Sequence, residues 1–243
     1  MPTKVSALAQ AAIIAATDQL YAVVGGVSRR IPAAALSGRN RIINGQGRIN
    51  QRGYVSGTAT IAANQYTLDR WRVVVSGQSL TFTGTDAGRT MTAPAGGCEQ
   101  VIEGANIEGG TYIINWTGTA TCQVDGIARA KGATFTLTAN TNATVRFIGG
   151  TFGDVQVELG STATPFERLP LGDELHRCQR YYCTSRFNAL FNATAAAQNG
   201  DGFIYWPVTM RATPTTTLDT TGIVNATATI GAQSTIGARA NIV

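Results

Sequence analysis

Between 67 and 159 the chain is cut into short runs rich in Thr, Val, Ile and aromatic residues, with Gly, Asn or Asp in nearly every gap. The runs fall at 67–75, 80–83, 98–102, 111–116, 121–124, 134–138, 144–148 and 155–159. Segments this short are too brief for ordinary helices, and their residues suit a pleated, half-buried surface. The intervening Gly, Asn and Asp supply the tight and left-handed backbone that hairpins need. The pattern predicts an all-β chain, with 40–168 forming a β sandwich or jelly roll. Within it, 41–52 alternates apolar and polar residues around Gly45 and Gly47 and reads as a strand with turns or bulges. The run 67–75 reads as a longer strand whose apolar end enters the core.

Charge narrows the classes of partner. Only 14% of residues are charged, against about 25% in an average globular domain. A surface so poor in charge suits a chain that hides area in an oligomer or a large particle. The net charge of +5 comes from 19 Lys and Arg against 14 Asp and Glu. The densest basic groups are Arg29, Arg30, Arg39 and Arg41, then Arg177 and Arg180. They form no long run and accompany no nucleic-acid motif, so no nucleic acid is expected as partner. Weak attraction to an anionic surface fits the same charge. No stretch reaches transmembrane length, so no membrane insertion is expected. The apolar run 11–16 is too short for a signal peptide. Folding in a reducing cytosol is therefore expected, with Cys98, Cys122, Cys178 and Cys183 as thiols. His176 lies beside the Cys178/Cys183 pair, but no second pair at ligand spacing completes a metal site, and no cofactor is expected.

Two smaller units flank the predicted sandwich. In 1–38, residues 20–24 (Leu20, Tyr21, Ala22, Val23, Val24) read as a strand, Gly25-Gly26 as a turn and 28–31, with Arg29 and Arg30, as the return strand. Pro32 opens a possible one-turn helix. A unit this small cannot bury a core alone and needs a sister chain or another protein. In 172–243, Asp173 is placed to cap a short helix with Leu175, Cys178 or Gln179, and Tyr182 on one face. Strands are expected at 186–191 and 202–208, and further ones within 219–243. About 70 residues make a marginal domain, which oligomerisation would complete.

Catalytic signatures are missing. His176 is the single histidine, and neither a GxSxG elbow nor a local catalytic-Cys signature accompanies it. It is expected on a helix surface or at an interface. Glu99, Glu103, Glu108, Asp125, Asp154 and Glu158 are the carboxylates from which a polysaccharide hydrolase would need a facing pair. No repeat of the kind that builds long β-helical grooves is visible. Trp71 is expected in the core, with Asp69 and Arg70 as an ion pair or turn brace. Sugar rings stack on exposed aromatic faces. Trp116 starts a tight turn and is expected to be partly exposed. Alternation turns one of Tyr205 and Trp206 outward. Trp116, Tyr205 and Trp206 are the candidate carbohydrate-binding residues.

Several motifs carry a family resemblance in their order and spacing: Ile43-Asn-Gly45, Gln51-Arg-Gly53, Tyr66-Thr-Leu-Asp-Arg-Trp71, the Trp116-Thr-Gly-Thr-Ala hairpin, and DVQVELGSTATPFERLPLGDELHRCQRYY at 154–182. Pro207-Val-Thr-Met-Arg-Ala-Thr-Pro-Thr follows the Tyr pair. Together they resemble bacteriophage tail-fibre and receptor-binding proteins, in which a carbohydrate-binding-like jelly roll hands over to a C-terminal β domain. The resemblance implies a homotrimeric structural protein of the virion, on tail or capsid surface, made in the host cytoplasm. It implies no enzyme activity. By the same resemblance, 1–38 attaches to other virion proteins through Leu20, Tyr21, Val23, Val24, Gly25, Gly26, Arg29 and Arg30. The 40–168 unit forms the jelly roll, and 172–243 trimerises and meets bacterial surface glycans. A head fibre or capsid decoration protein, and a tail-spike depolymerase, are the rival expectations.

Overall fold

The computed structural model describes residues 19–24, 27–32, 38–184, 200–218 and 228–242. Among these residues the fold is all-β apart from one short helix and a 3-10 turn. At the N-terminus β1 (Gln19–Val24) and β2 (Val27–Pro32) pair antiparallel, with Leu20 opposite Ile31, Tyr21 opposite Arg30 and Val24 opposite Val27. The expected hairpin is thus present. Gly25-Gly26 and the possible helix after Pro32 lie outside the described residues.

Eleven strands follow. They are β3 (Gln65–Tyr66), β4 (Arg72–Val73), β5 (Thr81–Thr85), β6 (Gly88–Thr92), β7 (Cys98–Ile102), β8 (Gly110–Thr117), β9 (Thr121–Val124), β10 (Ile127–Arg129), β11 (Thr134–Leu137), β12 (Ala143–Ile148) and β13 (Thr151–Leu159). One sheet has the order β10-β9-β12-β7-β4-β3 and the other β11-β8-β13-β6-β5. All neighbours are antiparallel. Of the eight strands β6 to β13, the first, eighth, third and sixth lie side by side in one sheet. The second, seventh, fourth and fifth do so in the other.

Alternation decides which face is dry. Phe135 and Leu137 of β11, and Val145 and Phe147 of β12, point into the core while their neighbours stay partly or fully exposed. The two inner faces meet in one cluster of rings. Phe147 of the first sheet stacks on Phe152 of the second at 4.6 Å, Trp71 meets Phe152 edge-on at 5.1 Å, and Trp116 meets Phe147 at 5.5 Å. Such aromatic pairs add roughly 0.5–1.5 kcal/mol each beyond the area they bury.

Two sequence expectations fail. Residues 41–52 form turns and irregular chain, with no strand. Their apolar residues divide between two packing partners: Ile42 enters the sandwich core, while Ile43 and Ile49 pack with Cys178 of the helix described next. The run 67–75 is a strand only at β4, because Thr67 and Trp71 close a tight turn (Thr67 N–H to Trp71 C=O, 2.9 Å) with Arg70 at φ +72°. Trp71 itself is fully buried, as expected.

After β13 the chain runs irregularly to α1 (Leu171–Gln179). Asp173 does not cap this helix. Pro170 stands at the N-cap position, and Asp173 and Glu174 lie in the first turn with His176 and Arg177 in the last, a charge order that matches the helix dipole. Beyond it, β14 (Gly200–Tyr205), β15 (Ala228–Gln233) and β16 (Gly237–Ile242) form an antiparallel sheet in the order β14-β16-β15. The strand expected at 186–191 lies outside the described residues.

Candidate functional site

Apart from the Trp116 hairpin, the motifs singled out in the sequence contribute residues to one junction, where α1 lies against the sandwich. Asn44 is its first fixed point. Its backbone adopts φ +60°, which Asn tolerates better than most residues. Its side chain donates to the carbonyls of Ile49 and Asp69 (both 2.9 Å) and accepts from the Ile49 N–H (2.9 Å). The indole N–H of Trp71 donates to the Asn44 carbonyl at 2.9 Å. Gly45 follows because a Cβ there would stand 2.4 Å from the Val155 carbonyl. The Asn44 N–H donates to the Glu174 carboxylate, so the buried acid of α1 is held by the loop beneath it.

Asp69 is the second fixed point. Its carboxylate accepts from the Gln51 backbone and side chain (both 3.0 Å) and from Arg52 (2.9 Å). Asp69 therefore pairs with Arg52 and not with its neighbour Arg70. The Arg52 guanidinium lies 3.6 Å from the Tyr182 ring centroid, and that of Arg70 3.5 Å from the Tyr181 centroid. Gln51 also donates to the Tyr182 carbonyl at 2.9 Å. The Tyr pair that follows α1 is thus held by one arginine from each of two motifs.

Glu103 closes the clamp. It accepts from the Tyr181 hydroxyl (2.6 Å) and Arg180 (3.1 Å), with Arg211 at 3.6 Å. Burial alone would raise its pKa. Hydrogen bonds from Tyr181 and Arg180, with the charges of Arg180 and Arg211, outweigh burial and hold the carboxyl below its ordinary value. Burial and the bond to Glu103 push the Tyr181 phenol up. The Arg211 N–H donates to the Arg180 carbonyl at 2.9 Å, which ties the chain after β14 to the same point.

The other hydrolase carboxylates are also engaged. Glu99 sits between Arg72 and Arg146, its direct neighbours in the sheet. Glu108 binds Arg41 and Tyr112, and these contacts with its own backbone N–H overcome burial and lower its pKa. Asp125 accepts from the Thr144 N–H, Asp154 from Gln46, and Glu158 from Thr164 and Gln156. A general acid needs a carboxyl kept protonated near neutral pH, and Glu103 and Glu108 are shifted the opposite way.

The candidate sugar-binding aromatics divide. Trp116 is not partly exposed. It is 6% accessible, because the inward face of β8 carries it against Phe147. A ring enclosed in that way offers no face to a sugar. Tyr205 is 75% exposed while Ile204 is buried, so alternation turns Tyr205 outward. Trp206 is half-buried and donates from its indole N–H to the Ser234 carbonyl at 3.0 Å. For Leu20, Tyr21, Val23, Val24, Arg29 and Arg30 the backbone pairing alone is described, and Gly25 and Gly26 lie outside the described residues.

A groove of about 560 Å³ runs along the exposed side of α1, between the helix, the 38–43 loop and the 3-10 turn Gly104–Asn106. Arg41, Glu108, His176, Arg177, Arg180 and Tyr181 line it. His176 is exposed on the helix surface, as expected. All four cysteines are free thiols, and burial raises each of them, Cys122 to about 12. Among the described residues no group of three His, Cys, Asp or Glu could hold a metal ion, and no helix is long and apolar enough to cross a membrane.

Sequence reasoning missed Arg52, Arg70, Glu103 and Tyr181 as a set. The available signal was the recurrence of Arg in two of the motifs and a Tyr pair in a third. Comparison with protein-family models and with curated proteins finds no match for this chain.

Proposed function

We propose that this chain is a homotrimeric structural protein of a bacteriophage virion, a tail fibre that adheres to glycans on the bacterial surface. One observation carries the reading: all but one of the motifs that resemble those of phage fibres, the Trp116 hairpin being the exception, contribute to a single clamp joining a β sandwich to a C-terminal sheet. These residues build architecture, which suits a protein whose task is to hold modules in line. The sandwich is read as a jelly roll from the order of β6 to β13, in which each sheet interleaves early and late strands.

The C-terminal sheet supports a trimer. Among its described residues Ile204 and Ala238 are buried, while Phe203 and Tyr205 of β14 stand 65% and 75% exposed. A three-stranded sheet with so little of its own core needs a partner, and sister copies supply one. Sugar contact then falls to outward aromatics such as Tyr205, with affinity raised by several copies per particle.

Gold-labelled antibody against the chain, imaged on purified phage particles, tests the reading. Label at the tail, lost when residues 1–38 are deleted, is the expected result. Label on the capsid would assign a head fibre instead. Release of reducing ends from host polysaccharide by the purified chain would assign a depolymerase.

A further inference from the structure

Within the clamp lies a cleft of about 130 Å³ lined by Arg52, Arg70 and Arg211, by Tyr66, Tyr181 and Tyr182, and by Cys178 and the carboxylate of Asp69. Arg70 is its unusual member. It is 6% exposed and held at φ +72° by the turn before Trp71. One guanidinium nitrogen donates to the Val101 carbonyl, and Tyr181 covers a face. Its Nε is buried and has no hydrogen-bond partner. Among the described residues no carboxylate lies within ion-pair distance of Arg70, since Asp69 is taken by Gln51 and Arg52. A buried guanidinium without an acid is costly, and an oxyanion is the usual remedy.

The surroundings favour the same occupant. Three guanidiniums, those of Arg52, Arg70 and Arg211, line the cleft with one carboxylate, that of Asp69, which Arg52 already pairs; Arg211 shares Glu103 with Arg180. The Arg211 side chain is 51% exposed and lies 3.6 Å from Glu103. Guanidinium forks match planar and tetrahedral oxyanions through paired N–H donors. The volume admits one such group and little more.

We propose that this cleft is a binding site for a single oxyanion group, a carboxylate or sulfate, presented by an acidic sugar or as a free ion. Arg70 and Arg211 donate to it, and the Tyr66 and Tyr182 rings flank its carrier. The site follows from the excess of guanidinium over carboxylate in the cleft and from an Arg70 guanidinium with no acid of its own, and stands or falls apart from the adhesion reading.

Isothermal titration of the full-length protein with sodium glucuronate, sodium sulfate and glucose, at ionic strength matched with chloride, tests it. Saturable binding of glucuronate, sulfate or both is expected, with no binding of glucose. Arg211→Ala, at a half-exposed position, should retain the wild-type circular dichroism spectrum and weaken binding at least about tenfold, the effect of one charge-assisted hydrogen bond. Arg70→Lys should weaken it similarly in protein that keeps its fold. Much tighter glucuronate than sulfate binding identifies an acidic sugar as the source, and equal binding identifies the ion alone. Heats no larger than those of chloride, or Arg211→Ala binding as the wild type does, would overturn the proposal.

Discussion

Single side chains at the junction do more than their types suggest. Asn44 satisfies three backbone groups from one left-handed position. Asn44→Ala leaves buried donors and acceptors without partners, and such groups cost about 1–3 kcal/mol each. We expect a loss of roughly 2–4 kcal/mol, read as a lower urea midpoint with unchanged slope. Asn44→Asp should fare no better, because it removes both donated bonds and sets a charge beside Glu174. The cysteines give a second residue-scale prediction. Cys98, Cys122 and Cys178 are buried with raised pKa values, so each is protonated and shielded at neutral pH. Under native conditions a thiol reagent should reach Cys183 first, and all four should react in denaturant. Rapid native labelling of Cys98 would contradict the packing described. Trp71 was readable as core because tryptophan is usually buried. The left-handed backbone of Asn44 and Arg70 was not, since nothing local requires φ above zero at an arginine and only the folded turn imposes it.

At the scale of elements, α1 is nine residues long, too short to persist alone in water. Its stability comes from the clamp. Glu103 gives that dependence a pH signature. Its folded pKa lies below the ordinary value of 4.5, so the unfolded chain binds the proton more readily. The stabilisation is full above that ordinary value and fades as pH falls through the lower folded pKa. Helix signal and resistance to proteolysis at the α1 end should therefore weaken below about pH 4.5. Glu103→Gln should flatten this part of the acid response. An unchanged acid profile in Glu103→Gln would separate Glu103 from the clamp. Strands such as β11 and β12 were readable because each keeps an inward and outward alternation over one core. Residues 41–52 show the same alternation for another reason. They lie between the sandwich and α1 and bury Ile42 on one side and Ile43 and Ile49 on the other. Periodicity reports two dry faces without saying that a sheet made them.

For the whole molecule, the sandwich holds nearly all of the described core, while the C-terminal sheet presents Phe203, Tyr205 and Ile236 to solvent. The sequence pointed to this imbalance through its low charge and the small size of the last unit. It gave no view of the clamp, which depends on contacts between residues more than a hundred positions apart, such as Gln51 and Tyr182. Association of copies, as proposed, would meet both the low-charge surface and the unfilled sheet. Phe203→Asp, on the exposed face of β14, should leave the sandwich folded and break the oligomer, seen as a smaller particle with unchanged β signal.

The central claim is that sister copies complete this chain into a virion appendage. Light scattering on the purified protein tests it most directly, since the protomer mass is 25.4 kDa. The account predicts a mass about three times that value, independent of concentration across the working range of a stable complex. A stable monomer at every concentration would contradict it.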